Sequence, residues 1–438
     1  MRVKYQRFSG YLYVIVSVIT FILAGCKNEP VVTSNSNTSV TETSTKVQAI
    51  DEKISNQMTI AEAKIADFQK LTLSSMRSDA AFQIPRVFIV HTGESIQSVV
   101  DDAGEGSTIL IQPGVYKESV MITTPGLRLI GLNGPMGKHV VIQNPGGTDS
   151  KSNGIFVKPA DGEETLTGFS LYNVEIHDFE DNGVLALHTK NFFIARVTAV
   201  NNGEYGVYPV YSSQGVVYQC SATGSKDTGI YIGQSEDVLM LDNKAYANVV
   251  GFEIENSTNI IAARNTSTDN SVGILVDLLP PSNYITILES EKTWVRSNLV
   301  QENNHENFAS PGELAGFIPK GSGIIVVGAN KVNVSGNTVV GNDFVGIGVG
   351  STLLLAALSG FPPEAFVGIE PNPDDVKVRL NKVLNNGTNP PDLPPPLDAV
   401  HSDLFRDGTG MNNYWWKNSF GTSFPEQLPN CMKPGLSK

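Results

Sequence analysis

The sequence predicts an all-β fold, a right-handed parallel β-helix solenoid with coils of about 22–23 residues, preceded by a short amphipathic helix. Three observations predict it. First, a polar or β-branched residue, a glycine and then alternating apolar residues recur: Asn182-Gly183-Val-Leu-Ala-Leu, Tyr205-Gly206-Val-Tyr-Pro-Val, Thr228-Gly229-Ile-Tyr-Ile, Val250-Gly251-Phe-Glu-Ile-Glu, Val272-Gly273-Ile-Leu-Val-Asp, Ser322-Gly323-Ile-Ile-Val-Val and Val345-Gly346-Ile-Gly-Val-Gly. Their glycines lie 23, 23, 22, 22, 50 and 23 residues apart, with Gly154-Ile-Phe-Val 29 residues before the first. Second, an asparagine follows about 14 residues later in several units, at Asn243, Asn265, Asn298 and Asn337. Third, the runs alternate at period two, which excludes helical repeats, and the Leu-x-x-Leu-x-Leu frame of leucine-rich repeats is absent. Glycine is expected where the chain turns with positive φ, and asparagine at a corner where it adopts the left-handed conformation and stacks its amide.

Composition agrees with a long core and narrows the function. Hydrophobic residues make up 40% of the 438 residues and charged residues 17%, so wholesale disorder is excluded. A net charge of −13 argues against nucleic acid as a partner. Three cysteines exclude a disulfide scaffold.

The elements follow in order. Residues 1–25 read as a signal peptide: Arg2, Lys4 and Arg7 precede an apolar run from Tyr11 to Gly25, too short for a membrane span. Leu23-Ala24-Gly25-Cys26 resembles a bacterial lipobox, which implies cleavage before Cys26 and its lipidation. Two acyl signals suffice for stable anchoring, and Lys27 in place of Asp favours the outer membrane, facing the periplasm or the cell surface. Loss of the signal takes the net charge from −13 to −16. Residues 26–46, rich in Ser, Thr and Asn, form a flexible tether. Within 47–86, Ile50, Ile54, Met58, Ile60, Ala61, Ile65, Phe68 and Leu71 mark the stripe of an amphipathic helix. The solenoid occupies 87–425, opening with a short helix at Ser95 to Ala103 and a strand from Thr108 to Tyr116, and 426–438 is a tail. The 50-residue interval leaves Pro280 to Ile287 and His305 to Pro319 as projecting loops; a second bulge at 353–374 opens with a short apolar helix, and Pro390 to Pro396 is a stiff connector.

The glycine and asparagine rhythm resembles the pectate-lyase-like β-helix group, and within it the bacterial parallel β-helix repeat proteins related to alginate epimerase-type and copper-maturation-type periplasmic β-helices. Gln112-Pro-Gly-Val-Tyr116, Asn303-Asn-His-Glu-Asn-Phe-Ala309, Lys320-Gly-Ser-Gly-Ile324 and Thr422-Ser-Phe-Pro-Glu-Gln-Leu-Pro-Asn-Cys431 extend the resemblance over roughly residues 87 to 425. It implies the fold and leaves the activity open, since such a fold hosts lyases, hydrolases, epimerases and inert scaffolds.

The register yields a surface. After each glycine, the first and third residues point inward and the second and fourth outward. The outward pairs include Tyr208/Val210, Tyr231/Gly233, Glu253/Glu255, Leu275/Asp277 and Ile325/Val327, with His188, Tyr211, Gln234 and Asn256 just past their strands. Successive coils lie about 4.8 Å apart, so Tyr208 neighbours Tyr231, and Glu255 neighbours Asp277. This makes Tyr208, Tyr211, Tyr231, Gln234, His188 and Asn256 candidates for glycan binding. Glu253, Glu255 and Asp277 are candidates for glycosidic acid/base catalysis, which pairs carboxyls about 5–5.5 Å or about 6.5–9.5 Å apart. His305 and Glu306 are placed to flank this patch; the alternative is a loop packed as a lid over Leu275 and Ile325.

Other chemistries fail. Uronate lyases and epimerases need a cation beside the base, and Lys158 is several coils away. The Asp-Pro-His-Asp of alginate epimerases is absent, with only a loose echo at His177-Asp178, and so is the Gly-His-Gly of polygalacturonases. The six histidines are scattered and make no metal site, and no cofactor is implied. Ca²⁺ on Glu253, Glu255 and Asp277 would have suitable oxygen ligands without a ligand-rich loop to complete them. Cys220 reads as a core residue, and Cys431 has no assignable partner. Three readings stand: an envelope lipoprotein that binds or processes a polysaccharide on this face, a polysaccharide-active enzyme using the three carboxylates, and a scaffold without a small ligand.

Overall fold

The computed structural model describes residues 36–77, 86–359, 362–393 and 397–430. The signal sequence, Cys26 and Cys431 lie outside them, as does part of the Pro390 to Pro396 connector. Among the described residues, no helix is long and apolar enough to cross a membrane.

Three parallel sheets of 12, 11 and 11 strands run the length of the solenoid. Each coil supplies one short strand to each sheet. The sheet carrying the glycine motif contains the strands Asn182–Leu187, Tyr205–Val210, Thr228–Gly233, Val250–Glu255, Val272–Asp277, Ser322–Val327 and Val345–Gly350. The expected inward positions, such as Ile230, Ile232, Phe252, Ile254, Ile274 and Val276, are fully buried in one continuous core. Cys220 belongs to that core, where burial pushes its thiol up to about 12. Thr108 to Tyr116 is two strands, Thr108–Ile111 in one sheet and Gly114–Tyr116 in another. The chain turns the corner at Gln112-Pro113, where proline has no N–H for a ladder. The short helix forms at Ile96–Asp102, capped by Ser95, and sends Ile96 and Val100 into the core.

Glycine and asparagine are needed for reasons other than the expected ones. The repeat glycines do not have positive φ. A Cβ on Gly183 would lie 2.5 Å from the Gly206 carbonyl oxygen and 2.8 Å from the Asn202 amide, and Gly251, Gly273, Gly323 and Gly346 meet the same pair of obstacles. Glycine is required by close approach of the next coil. The positive-φ positions are instead Asp242, Arg264, Ser297 and Gly336, each just before a ladder asparagine. That turn aims the following side chain inward, so Asn243, Asn265, Asn298 and Asn337 stack amide on amide at 3.0–3.1 Å. A second ladder, Asn248, Asn270, Asn303, Asn342 and Asn386, runs along the next corner. Each amide satisfies a buried carbonyl or backbone N–H that the turning chain leaves without a strand partner.

The amphipathic helix spans Ser36–Arg77, beginning within the segment expected to be a flexible tether. Once a docked portion nucleates a helix, each added residue gains a hydrogen bond at low cost. Ile54, Ala61, Ile65 and Phe68 are buried against Ile130, Tyr172, Phe193, Tyr218, Leu241 and Ile261 on the outer face of the 12-stranded sheet. Ile60 is 48% exposed, because it falls one residue off the 54–58–61–65–68 stripe. The helix runs against the coil order: Asp51 pairs with Arg296 at 2.7 Å, Glu62 accepts from the Tyr218 hydroxyl, Lys64 sits over Phe193, and Phe68 packs on Tyr172.

Candidate functional site

The glycine-motif sheet carries the candidate residues on its outer face, but that face is not an open groove. Two loops from the long interval and the helix Leu353–Ser359 fold over it. Leu275 and Ile325 lie beneath Leu279, Ala315 and Ile318, so the lid expected as the alternative to a catalytic loop is present. Gln234 and Asn256 hold it down. Gln234 Oε1 accepts from the backbone N–H groups of Thr286 and Ile287. The Asn256 amide donates to the carbonyls of Leu279 and Ile287 and accepts from the N–H of Leu279. Both side chains are buried and clamp the loops; Gln234 also lines the cavity beneath them with its Nε2 unpartnered, whereas Asn256 does not line it. Tyr211 stacks on His188 with ring centroids 5.0 Å apart and donates to the Tyr284 carbonyl, which places this pair on the loop's outer flank. His305 is drawn away to Asp269 at the opposite corner and Glu306 pairs with Lys320, so neither borders the cleft. The His177 strand, Glu175–His177, belongs to a different sheet.

Under the lid a cavity of about 290 Å³ remains. Glu255 and Asp277 are register partners on adjacent strands, and carboxylate oxygens of Glu253, Glu255 and Asp277 lie within 4.8 Å of one another. All three carboxylates are buried, and Asp277 is only 1% exposed. Tyr208 and Tyr231 meet edge to face at 4.8 Å, and Tyr205 stacks on Tyr208 at 4.2 Å. Tyr231 is itself buried, its ring lying across Gly233, where a Cβ would strike it at 2.0 Å. It therefore supports the cleft, and Tyr208 is the more accessible ring.

Asp227, Thr228, Tyr205, Glu204 and Glu313 join the site without having been singled out from sequence. Glycine and the residue after it both face inward, which shifts the alternation by one and turns the preceding residue outward. Tyr205 and Thr228 occupy that row. Allowing for the shift would have revealed them, whereas Glu313 arrives on an irregular loop that carries no periodic signal. Tyr205 donates to Asp227 Oδ2 at 3.1 Å, and the Thr228 hydroxyl lies against both Asp227 Oδ1 and the Glu253 carboxyl. One hydroxyl has one proton, so it satisfies both carboxyls only if one of them is protonated.

The electrostatics agree. Burial, reinforced by Asp277, raises Glu253 well above the usual carboxylate range, and burial with the Glu255 charge does the same to Asp277. Burial pushes Glu255 up to about 7, against a hydrogen bond from Tyr231, and Asp227 up to about 6. At the rim, burial and Asp181 push Glu204 up to about 7. Neighbouring carboxyls cannot all ionise, so the first to lose its proton holds protons on the others. An acid and a base therefore coexist here near neutral pH. Among the described residues lining the cavity there is no Lys, Arg or His. The three carboxylates also form the one group among the described residues spaced to hold a metal, and their hard oxygens suit Ca²⁺.

Comparison with known proteins bears on the fold. Residues 130–286 match the family model described as a right handed beta helix region. The chain has the right-handed parallel β-helix fold. Similar solved structures include the mannuronan C-5 epimerase AlgE4 A-module of Azotobacter vinelandii, with 16% identity over 74% of this β-helix chain and 83% of that one at a TM-score of 0.54. The AlgE6 A-module from the same organism is 18% identical over 71% and 74%, with a TM-score of 0.51. DFA-IIIase from Arthrobacter chlorophenolicus A6, in complex with GF2, is 12% identical over 76% and 88%, with a TM-score of 0.51. No curated protein matches the sequence.

Proposed function

We propose that this β-helix protein cleaves a glycosidic bond in the cleft beneath the lid, with Asp277 as proton donor and Glu255 as the opposing nucleophile or base. The observation that carries the reading is the trio of buried carboxyls within 4.8 Å, which must share protons at neutral pH. Glu255, raised to about 7, is the carboxyl that ionises, and its charge with burial keeps the proton on Asp277. Asp277 Oδ1 has no hydrogen-bond partner within the protein and is free to face the glycosidic oxygen that takes its proton. The spacing is nearer the ~5–5.5 Å of retaining pairs than the ~6.5–9.5 Å of inverting ones. Glu253, braced by Thr228, tunes the pair, and Tyr208 offers a face for a sugar ring. The names of the similar structures, an epimerase of mannuronan and a DFA-IIIase, support a polysaccharide or oligosaccharide as partner. With no cation among the described residues lining the cleft, uronate lyase and epimerase chemistry is disfavoured.

A panel of polysaccharides and oligosaccharides, assayed for new reducing ends and for binding, tests this reading. Product release that falls ~10²–10⁴-fold in Glu255→Gln supports it. Turnover that survives both Glu255→Gln and Asp277→Asn overturns it, and saccharide binding without product marks a binding module. We further propose that lipids on Cys26 hold the protein at the outer membrane, on the strength of the basic, apolar and Leu-Ala-Gly-Cys pattern. Cys26→Ser should abolish palmitate labelling and leave the precursor uncleaved; normal labelling of that variant removes the anchor.

A further inference from the structure

We infer that the saccharide taken by this cleft carries a protonated amine, as a short or terminal amino-sugar unit does. The inference rests on the glycan reading above and adds the charge of the ligand. Several other partly or fully buried acids are met by cations or by N–H groups. Glu291 pairs with Lys292 and Lys331, and Asp242 with Arg264. Asp403 accepts from the backbone of Asn386, Gly421 and Thr422, and Asp407 from Ser351 and Thr409. The cleft is built otherwise. Asp227, Glu253, Glu255, Asp277 and Glu313 line one cavity with no cationic side chain among its described lining residues. The side-chain donors near the buried carboxyls are neutral: the Tyr205 and Thr228 hydroxyls, and the Tyr231 hydroxyl and Gln234 amide beside Glu255.

A second observation points to a missing donor. Asp277 Oδ1 has no hydrogen-bond partner although the residue is 1% exposed and borders the cavity. A buried acceptor left unmatched is costly, and a charged donor supplies the strongest match. An ammonium group brings three N–H donors and a positive charge on one atom. The neighbouring tyrosine rings favour the same ligand, since aromatic faces accept both sugar rings and cations. Ca²⁺ suits the charge but takes six to eight oxygens, and it has no use for the tyrosine faces. The cavity, at about 290 Å³, stands at the small end of ligand pockets, which run ~300–1,000 Å³, and so fits a short or terminal unit better than the middle of a chain.

Calorimetry on the full chain tests the inference with three probes: a glucosamine trisaccharide, its N-acetylated counterpart, and Ca²⁺ alone. At about pH 7, where Glu255 is ionising and the amine keeps most of its charge, the glucosamine trisaccharide should bind ~10–100-fold more tightly than the acetylated one. The preference should weaken with salt and vanish in Asp277→Asn, with unfolding followed in parallel to show that the variant is folded. Equal or tighter binding of the acetylated sugar overturns the amine and leaves glycan cleavage standing with a neutral substrate. Binding of Ca²⁺ alone, lost in Asp277→Asn, overturns it in favour of a metal site. If no saccharide of either charge binds or is cleaved, this inference and the glycan reading fall together.

Discussion

Two faces of the same solenoid are covered, and they are covered differently. On the 12-stranded sheet, outward rows of Ile130, Tyr172, Phe193, Tyr218 and Ile261 receive a helix whose apolar stripe advances about one turn per coil. A helix pitch of 5.4 Å against a coil spacing of about 4.8 Å keeps successive side chains near successive strands. The polar contacts are held at its edges by ion pairs such as Asp51–Arg296. On the glycine-motif sheet the corresponding rows hold Glu253, Glu255 and Asp277, and the cover is a pair of irregular loops that closes over Leu275 and leaves a cavity above the acids. A cover that shares the repeat of the solenoid buries apolar surface and stabilises it. A cover without that repeat encloses space, and the carboxyls kept inside it without cations among the described lining residues destabilise the fold.

The largest test of this contrast is in the interior that both faces share. Ile232→Asp puts an unpaired charge among stacked coils and should cost more than ~4 kcal/mol, unfolding the helix-covered and the cleft side together. An unchanged thermal midpoint would mean that the inward register is wrong. Phe68→Ala comes next. Its ring packs on Tyr172 and Phe193, so truncation should cost ~3–5 kcal/mol in denaturant unfolding while product release per folded molecule stays at the wild-type value. A matching loss of turnover would show that the two faces are coupled. Glu255→Gln should do the reverse, abolishing turnover while raising stability by ~1–2 kcal/mol, because it removes a buried like charge. A destabilised Glu255→Gln would mean that the acids are held by partners after all.

The smallest effect is a slope. Glu255 and Asp227 have folded pKa values raised to about 7 and about 6, so the folded state binds more protons than the unfolded chain between those values and the ordinary carboxylate range. Stability from these groups is complete below about pH 4 and is lost as pH rises toward about 7. The thermal midpoint should therefore fall across that window, and the fall should be shallower in Glu255→Gln. Identical slopes in the two proteins would remove Glu255 from the coupled set.

Much of this could be read from the sequence wherever the repeat itself carried the information. The 22–23-residue interval gives strand register, and register places Glu255 beside Asp277 and buries Ile232 and Ile254. The helix stripe names Ile54, Ala61, Ile65 and Phe68 for the same reason. Glycine and asparagine were recognised as corner markers but given the wrong turn: contact with the coil above excludes a Cβ on Gly251, a distance that no local propensity contains. Asn256 and Gln234 look like surface amides until the loop that they clamp is folded over them. Thr228 lies one residue and Asp227 two residues before the repeat glycine, outside the rows counted from it, and Glu313 and His305 depend on the path of a loop with no period at all.

The long helix has one further consequence, a mechanical one. A stack of coils touches only its neighbours, so it can fray from an end one coil at a time. Between Asp51 and Phe68 the helix rises about 25 Å, reaching from the strand Trp294–Arg296 back to the strand Ser170–Tyr172 and crossing every strand of the sheet between them. It therefore acts as a splint. Peeling any one of those coils under tension requires the helix to bend or detach along its length, so the splinted coils should yield as a single block under a pulling force, after any coil that the helix does not cross.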